Sequence, residues 1–387
     1  MPVFVLVVLS LVLGCSALWW VFAHRLVRGR RARLAVGVFG LAQLALIFGV
    51  LGARAAGFSL PLWAQGFALF WTLILLAPSV LLLGTLLAAR WARRRPAPEG
   101  PQPARRAFLG AAVAGPPVLA AVGTAVGLVQ SRGFVTRERA LRVPGLPPAL
   151  DGLRVVHVSD THAGAFTRGP VLRGIAAAVN GLDADLVCFT GDLINAEHED
   201  IPAGCELLNA CRARHGVFAV EGNHDLFQGV EAFRREVRRR GVDLLVDEGR
   251  ALEVRGVPVD VLGLRWAGDD GIEDSFAATA RGFARRPGAF CLCLAHHPHA
   301  FDAAAAAGVP LTLSGHTHGG QLMLPGGVGP GPVMYRYWSG VYEKPAGPDA
   351  PAAVTVVSNG SGNWFPLRTF APAEVVCLVL RPGSVSA

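Results

Sequence analysis

Acidic side chains are nearly missing from the first third of this 387-residue sequence. Residues 1–130 hold twelve arginines and a single acid, Glu99. That stretch carries a formal +11, and the remainder carries −3 of the overall +8. The high net charge is therefore local, and the mildly acidic remainder excludes a general binder of nucleic-acid backbones. Charge of either sign is scarce, 17% of residues against 52% hydrophobic, which excludes an ordinary soluble protein over the whole length. The seven cysteines include no C-x-x-C pair and form no dense framework, which excludes a disulfide scaffold. Cys291 and Cys293 stand two apart in a strand-like run, share one of its faces, and read as buried free thiols. There is no internal repeat and no true low-complexity tract.

What the first third does contain is long apolar runs. Segments 1–23, 34–53, 61–89 and 108–129 are each near or above the ~20 residues that a membrane-crossing helix needs. Pro78 is expected to kink or tilt the third. Trp19, Trp20, Trp63 and Trp71 supply candidate interface anchors. Arginines crowd the loop 24–33 (Arg25, Arg28, Arg30, Arg31, Arg33) and the loop 90–106 (Arg90, Arg93, Arg94, Arg95, Arg105, Arg106), while only Arg54 marks the loop between segments two and three. The positive-inside rule puts both rich loops in the cytoplasm, so everything after the fourth segment faces outward. Arg105-Arg106 before an apolar run has the form of a twin-arginine export signal; it equally fits two arginines that flank a membrane helix. No small-residue cleavage site follows Val129, so the helix is expected to stay as an anchor. The segments lack charges within the membrane, which argues against transport. Ala97–Arg105 is a Pro-rich linker and 131–149 a second one, so the expected organisation is 1–130 membrane, 131–149 linker and 150–387 catalytic domain.

From Leu153 the pattern changes to short apolar, β-branched runs alternating with helical stretches. Leu153–Val158, Leu186–Thr190 and Val217–Val220 read as buried strands, with helices at Pro170–Asn180 and Val230–Arg240 between them. Further strands are expected at Asp243–Val246, Ala251–Val254, Val259–Leu264, Phe290–Ala295, Pro310–Ser314, Ala353–Val357 and Val375–Leu380. The pattern is that of an α/β domain, two packed sheets with helices outside.

Five polar motifs end or follow these strands: Asp160-Thr161-His162, Gly191-Asp192, Gly222-Asn223-His224-Asp225, His296-His297-Pro298, and Gly315-His316-Thr317-His318-Gly319-Gly320. Carboxylate and amide oxygens with imidazoles suit Mn, Fe or Zn. Residues one apart at a strand end project to the same side, so Asp160 with His162, and His316 with His318, can grip an ion. Two ions about 3.5–4 Å apart would clamp a phosphate and activate a hydroxide between them.

The ordered set D-x-H, G-D, G-N-H-D, H and G-H-x-H resembles that of the calcineurin-like metallophosphoesterase superfamily over about residues 150–385. The tail Ser358-Asn359-Gly360-Ser361-Gly362 with Pro366-Leu367-Arg368 resembles its bacterial membrane-associated branch with twin-arginine-like signals. The resemblance implies a four-layer α/β/β/α sandwich, with Asp160, His162, Asp192 and His318 on a first metal. Asp192, Asn223, His296 and His316 would hold a second, Asp192 bridging. It implies that His224 protonates the leaving oxygen or steadies the phosphate, and that Asp225 orients His224. His297 departs from the pattern, and His296 is the better ligand by position.

The function expected from this resemblance is a membrane-anchored phosphodiesterase or pyrophosphatase. Its substrate would be an envelope or lipid-linked phosphate ester, attacked by a hydroxide between two divalent ions. The alternatives are a phosphomonoesterase and a membrane sensor that keeps metals for structure only. His157, His198, His215 and His299 read as structural or surface residues. Arg265, Asp269, Asp270, Arg368 and Asn195 are candidates to face substrate.

Overall fold

The structure, a computed structural model, describes residues 2–55, 60–92, 103–282, 284–345 and 352–384. It divides into two compact units, Met1–Val129 and Gln130–Ala387. Arg93–Arg95 and most of the Pro-rich linker lie outside the described residues, and helix starts again at Pro103.

In the first unit every expected apolar segment is helical: Pro2–Leu26, Arg30–Ala55, Leu62–Phe70 continued by Leu76–Ala92, and Pro103–Gln130. Among the described residues, Arg30–Val50 and Pro103–Gln130 are long and apolar enough to cross a membrane; Ser10–Leu26 and Leu76–Ala89 are shorter apolar stretches. The third segment is interrupted by a π-helical turn, Trp71–Leu75, where the Leu76 N–H reaches back to the Trp71 carbonyl. The cause sits just downstream. Pro78 has no N–H for the Ile74 carbonyl and its ring crowds that carbonyl, so the register shifts by one residue. Trp19 and Trp71 are not interface anchors. They lie edge to face at 5.6 Å in a buried cluster with Phe39, whereas Trp20 and Trp63 are exposed.

The second unit is built on two six-stranded sheets. The first runs in the order β1 (Phe134–Val143), β12 (Ala373–Pro382), β2 (Arg154–Val158), β3 (Leu186–Thr190), β4 (Val217–Val220) and β5 (Asp243–Leu244). The second runs β10 (Gly340–Lys344), β11 (Ala353–Val357), β9 (Leu311–Ser314), β8 (Phe290–Leu294), β7 (Val257–Gly263) and β6 (Glu248–Val254). Strands β2, β3, β4 and β5 are parallel, as are β11, β9, β8 and β7. Inward side chains of both sheets share one core, with Val155, Leu186 and Phe218 on one side and Val261, Leu292, Leu313 and Val356 on the other. On the outer face of the first sheet, Val156, Val187 and Phe189 bury Ile175 and Phe233 from helices Gly169–Asn180 and Val230–Arg239. Cys291 and Cys293, both free, face Ile272 and Ala304 of helices Gly268–Gly282 and Ala300–Ala306.

The expected linker at 131–149 is a strand for most of its length. Phe134–Val143 pairs in parallel with Ala373–Pro382 over ten residues. Its three arginines and one glutamate disguise it, because an edge strand keeps most side chains in water. The second unit therefore starts at Gln130.

Candidate metal centre

Parallel neighbours end on the same side of a sheet, and the motif loops follow those ends. Asp160 and His162 follow β2, Asp192 follows β3, and Asn223, His224 and Asp225 follow β4. His296 follows β8, and His316 and His318 follow β9. Backbone bonds stitch the loops together: the Asp160 N–H donates to the Gly191 carbonyl, His162 to Asp192, and Gly315 to His296.

The side chains do not converge by extended geometry. Asp160, His162, Asp192, His316 and His318 all have φ between 46° and 71°, the left-handed region. Asp and His enter that region more readily than most residues, and each entry still costs free energy. Each loop thus turns sharply and aims its ligand atom inward.

Three groups of donors result, and one of them, His162, Asp192 and His224, lies between the other two. In the first, Asp160, His162 and His318 bring their ligand atoms within 4.8 Å of one another. His162 Nε2 is 2.9 Å from His318 Nε2, which is 3.3 Å from Asp160 Oδ1. In the second, Asp192, His296 and His316 do the same. His296 Nε2 is 3.2 Å from Asp192 Oδ2 and 3.2 Å from His316 Nδ1. Asp192 belongs to both neighbourhoods, because its Oδ2 is also 3.5 Å from His162 Nε2.

These residues fit divalent cations on three grounds. The donors are oxygens and imidazole nitrogens, which suit hard or borderline ions. Asn223 Oδ1 is buried without a hydrogen-bond partner, an acceptor that lacks its donor. The charges also need compensation. Burial, with Asp192 nearby, raises the Asp160 carboxyl to about 7. Burial works against Asp192 too, but His296 and His162 hold it well below the ordinary range. Burial holds His162, His316 and His318 well below 6.5, the neutral form that a ligand must have.

His224 stands beside the first cluster, its ring 4.6 Å from that of His162. Asp225 does not hold it. The buried Asp225 carboxylate accepts instead from the Ile194 N–H at 3.0 Å and the Gly222 N–H at 2.8 Å, tying the β3 and β4 loops together. The Asn195 carbonyl, 2.5 Å from His224 Nδ1, fixes the ring. An Asp directly after a His is poorly placed to reach that ring when both lie in a tight helical turn.

The structure places most of the other residues singled out in the sequence, and His157 has the structural role expected of it. Arg265 pairs with Asp247. The side chains of Asp269 and Asp270 lie outside the described residues. Arg368 is wholly buried and holds the metal loops: Nη2 is 2.9 Å from His318 Nδ1, and the guanidinium also donates to the Gly362 and Ala371 carbonyls and to Asn363 Oδ1. His157 is buried, bonded through Nε2 to Thr190 Oγ1 at 2.8 Å, and burial pushes it down to about 3. His297 is buried in the ring cluster, 5.2 Å from His316. Two residues went unnoticed in the sequence. Trp266 stacks 5.0 Å from His316, and the Tyr335 hydroxyl lies 3.1 Å from His316 Nε2. Trp266 had one signal, an aromatic just past the end of β7; Tyr335, in an irregular loop, had none.

Two expected results follow. A Cβ at Gly222 would lie 2.1 Å from Asp192 Oδ1, so Gly222→Ala displaces that carboxylate. Metal affinity measured by titration calorimetry falls by roughly 10–100-fold; unchanged affinity would show that the loop yields freely. Arg368→Met strands several buried carbonyls and frees the His318 ring. It costs about 3–5 kcal/mol of stability, read as a lower thermal transition of the detergent-solubilised chain.

Comparison with known proteins agrees with this geometry. Residues 153–320 match the family model described as Calcineurin-like phosphoesterase. A metallophosphoesterase of Helicobacter pylori is 27% identical over 270 residues, 65% of this chain and 67% of that protein. The metallophosphoesterase YkuE of Bacillus subtilis is 27% identical over 260 residues, 64% of this chain and 85% of that protein. A "Transmembrane protein with metallophosphoesterase domain" of Danio rerio is 28% identical over 261 residues, 62% of this chain and 55% of that protein. The chain thus spans about two thirds of the Helicobacter relative's length and about half of the Danio rerio relative's.

Proposed function

We propose that this metal-dependent phosphoesterase, which carries a calcineurin-like phosphoesterase domain, is a membrane-anchored dinuclear hydrolase of phosphodiester or pyrophosphate bonds in envelope or lipid-linked substrates. Asp160, His162, Asp192 and His318 would hold one ion. Asp192, Asn223, His296 and His316 would hold the other. The observation that carries this reading is the pair of ligand clusters sharing Asp192, with the unpartnered Asn223 Oδ1 beside them. Divalent ions held there supply Lewis acidity toward phosphoryl oxygens and lower the pKa of water.

The chain's own contribution is positional and protonic. The left-handed loops fix the donors, and Asn195 holds Nδ1 of His224, so Nε2 is the nitrogen that exchanges a proton with the leaving oxygen. The helices packed outside both sheets support a four-layer sandwich. The apolar helices Arg30–Val50 and Pro103–Gln130 support membrane attachment. The arginine-rich loops favour several spans with the domain outside, and Arg105-Arg106 an export signal that is retained.

The test is release of p-nitrophenol by the full detergent-solubilised chain with Mn²⁺, from bis-p-nitrophenyl phosphate and from p-nitrophenyl phosphate. Faster turnover of the diester supports the reading. Faster turnover of the monoester makes the chain a phosphomonoesterase, and no turnover of either leaves the sensor role. An alkaline-phosphatase fusion at Val129 reports the side of the membrane.

A further inference from the structure

The apolar surface of the catalytic unit is not scattered. Nine large apolar side chains are exposed among the described residues from Gln130 onward, and six of them sit on two loops: Leu324, Val328, Val333, Met334, Trp364 and Phe370. Their exposure runs from 38% to 86%. A seventh, Phe227, stacks 4.7 Å from His224. The loop Gln321–Tyr335 contains no charged residue, and Asn359–Ala373 contains one, the buried Arg368. A soluble surface rarely leaves such a patch bare.

The two loops are bonded to each other. The Met323 N–H donates to the Thr369 carbonyl, the Thr369 hydroxyl donates back to the Met323 carbonyl, and the Gln321 amide donates to the Phe365 and Leu367 carbonyls. Both loops are continuous with the metal centre. One loop follows the His318 motif and ends at Tyr335, which touches His316; the other carries Arg368, which holds His318.

The first residues of the second unit, which follow an apolar stretch of membrane-spanning length in the sequence, bond to one of these loops. Gln130 Oε1 accepts from the Phe370 N–H at 2.9 Å. The Ser131 hydroxyl donates to the Pro366 carbonyl at 3.0 Å, and the Asn363 amide donates to the Ser131 carbonyl at 2.9 Å. The residues that open the second unit, directly after that apolar stretch in the sequence, are thus tied to the loop that carries Trp364 and Phe370. Exposed tryptophan and phenylalanine on a loop bonded to residues that follow such an apolar stretch in the sequence are side chains that settle at a membrane interface.

We propose that these two loops dock on a lipid bilayer, with Val333 and Met334 entering the acyl boundary, and present the metal centre to the phosphate ester of a lipid headgroup. This rests on the phosphoesterase reading above and gives it a substrate class.

The test uses the full chain in proteoliposomes and one leaving group in two settings. Bis-p-nitrophenyl phosphate is dissolved in water; dioleoyl phosphatidyl-p-nitrophenol is embedded in the vesicles. The double variant Val333→Asp, Met334→Asp is expected to keep its rate on the soluble diester within about twofold and to lose about tenfold or more on the lipid diester. An unchanged ratio of the two rates overturns the proposal. An activity-independent arm places the photo-crosslinker p-benzoylphenylalanine at position 333. The control position is Glu253, on the β6–β7 hairpin at the far end of the strands from the metal loops. Phospholipid adducts at 333 and not at 253 support docking even if both diesters prove inert, which would fault only the phosphoesterase reading. Equal adducts at both positions, none at 333, or adducts to protein alone overturn it.

Discussion

Replacing Asp192 by asparagine is expected to lower kcat/KM by on the order of 10⁴-fold, the kinetic equivalent of losing several kcal/mol of metal-derived stabilisation. The substitution keeps the shape and removes one charge where two ligand clusters meet. Its Oδ2 is 3.5 Å from His162 Nε2 and 3.2 Å from His296 Nε2, and its Oδ1 accepts from the His224 N–H at 2.9 Å. An amide there offers at most one acceptor oxygen, and its NH₂ group turns a donor toward imidazoles or toward the His224 N–H. Neither cluster keeps a shared anion. Elemental analysis of the purified variant should show metal content falling together with activity. A variant that stays within tenfold of the parent, with full metal content, would remove Asp192 from its bridging place.

His224→Ala carries the second large effect, and its signature is different. The ring is held at Nδ1 by the Asn195 carbonyl; a ring nitrogen lies within 4.8 Å of donor atoms of His162 and Asp192, but His224 is not among the ligands assigned to the two ions. Metal content should therefore survive the change. With an alkyl ester, whose leaving alkoxide needs a proton, the rate should fall by roughly 10²–10⁴-fold. With a p-nitrophenyl ester, whose leaving group departs as a stable anion, the fall should stay under about tenfold. A uniform loss on both esters would mean that His224 steadies the phosphate and gives no proton. Asp225→Asn separates structure from chemistry at the same motif. Its carboxylate binds two backbone N–H groups, and burial raises its pKa well above the usual carboxylate range.

The candidate metal donors were legible in the sequence because each stands directly after an apolar run of strand length. The strands Leu186–Thr190, Val217–Val220 and Ala353–Val357 were read with the bounds they have in the structure. The reason given for convergence was incomplete. Alternation along an extended strand predicts that Asp160 and His162 share a side, but they meet because both backbones turn left-handed. What stayed hidden depends on contacts distant in the chain. Arg368 reads as a candidate to face substrate until His318, fifty residues earlier, is seen against it. Tyr335 shows no periodicity, and its role exists only because its loop folds back on Gly320. A Cβ at Gly320 would come within 2.9 Å of the Gly331 nitrogen. Phe134–Val143 has the composition of a linker, and only its partner strand makes it part of a sheet.

That last pairing has a consequence for biosynthesis. The strand that opens the second unit finds its neighbour in Ala373–Pro382, more than two hundred residues later, and β12 in turn separates it from β2. While the ribosome is still making the middle of the chain, β1 and β2 have nothing between them. The first sheet closes only when the final strand emerges, so the high sequence separation of this contact makes its closure a late, slow event. A nascent chain stalled before residue 373 would hold β2 with a bare edge where the last strand belongs, and is the form most prone to aggregate.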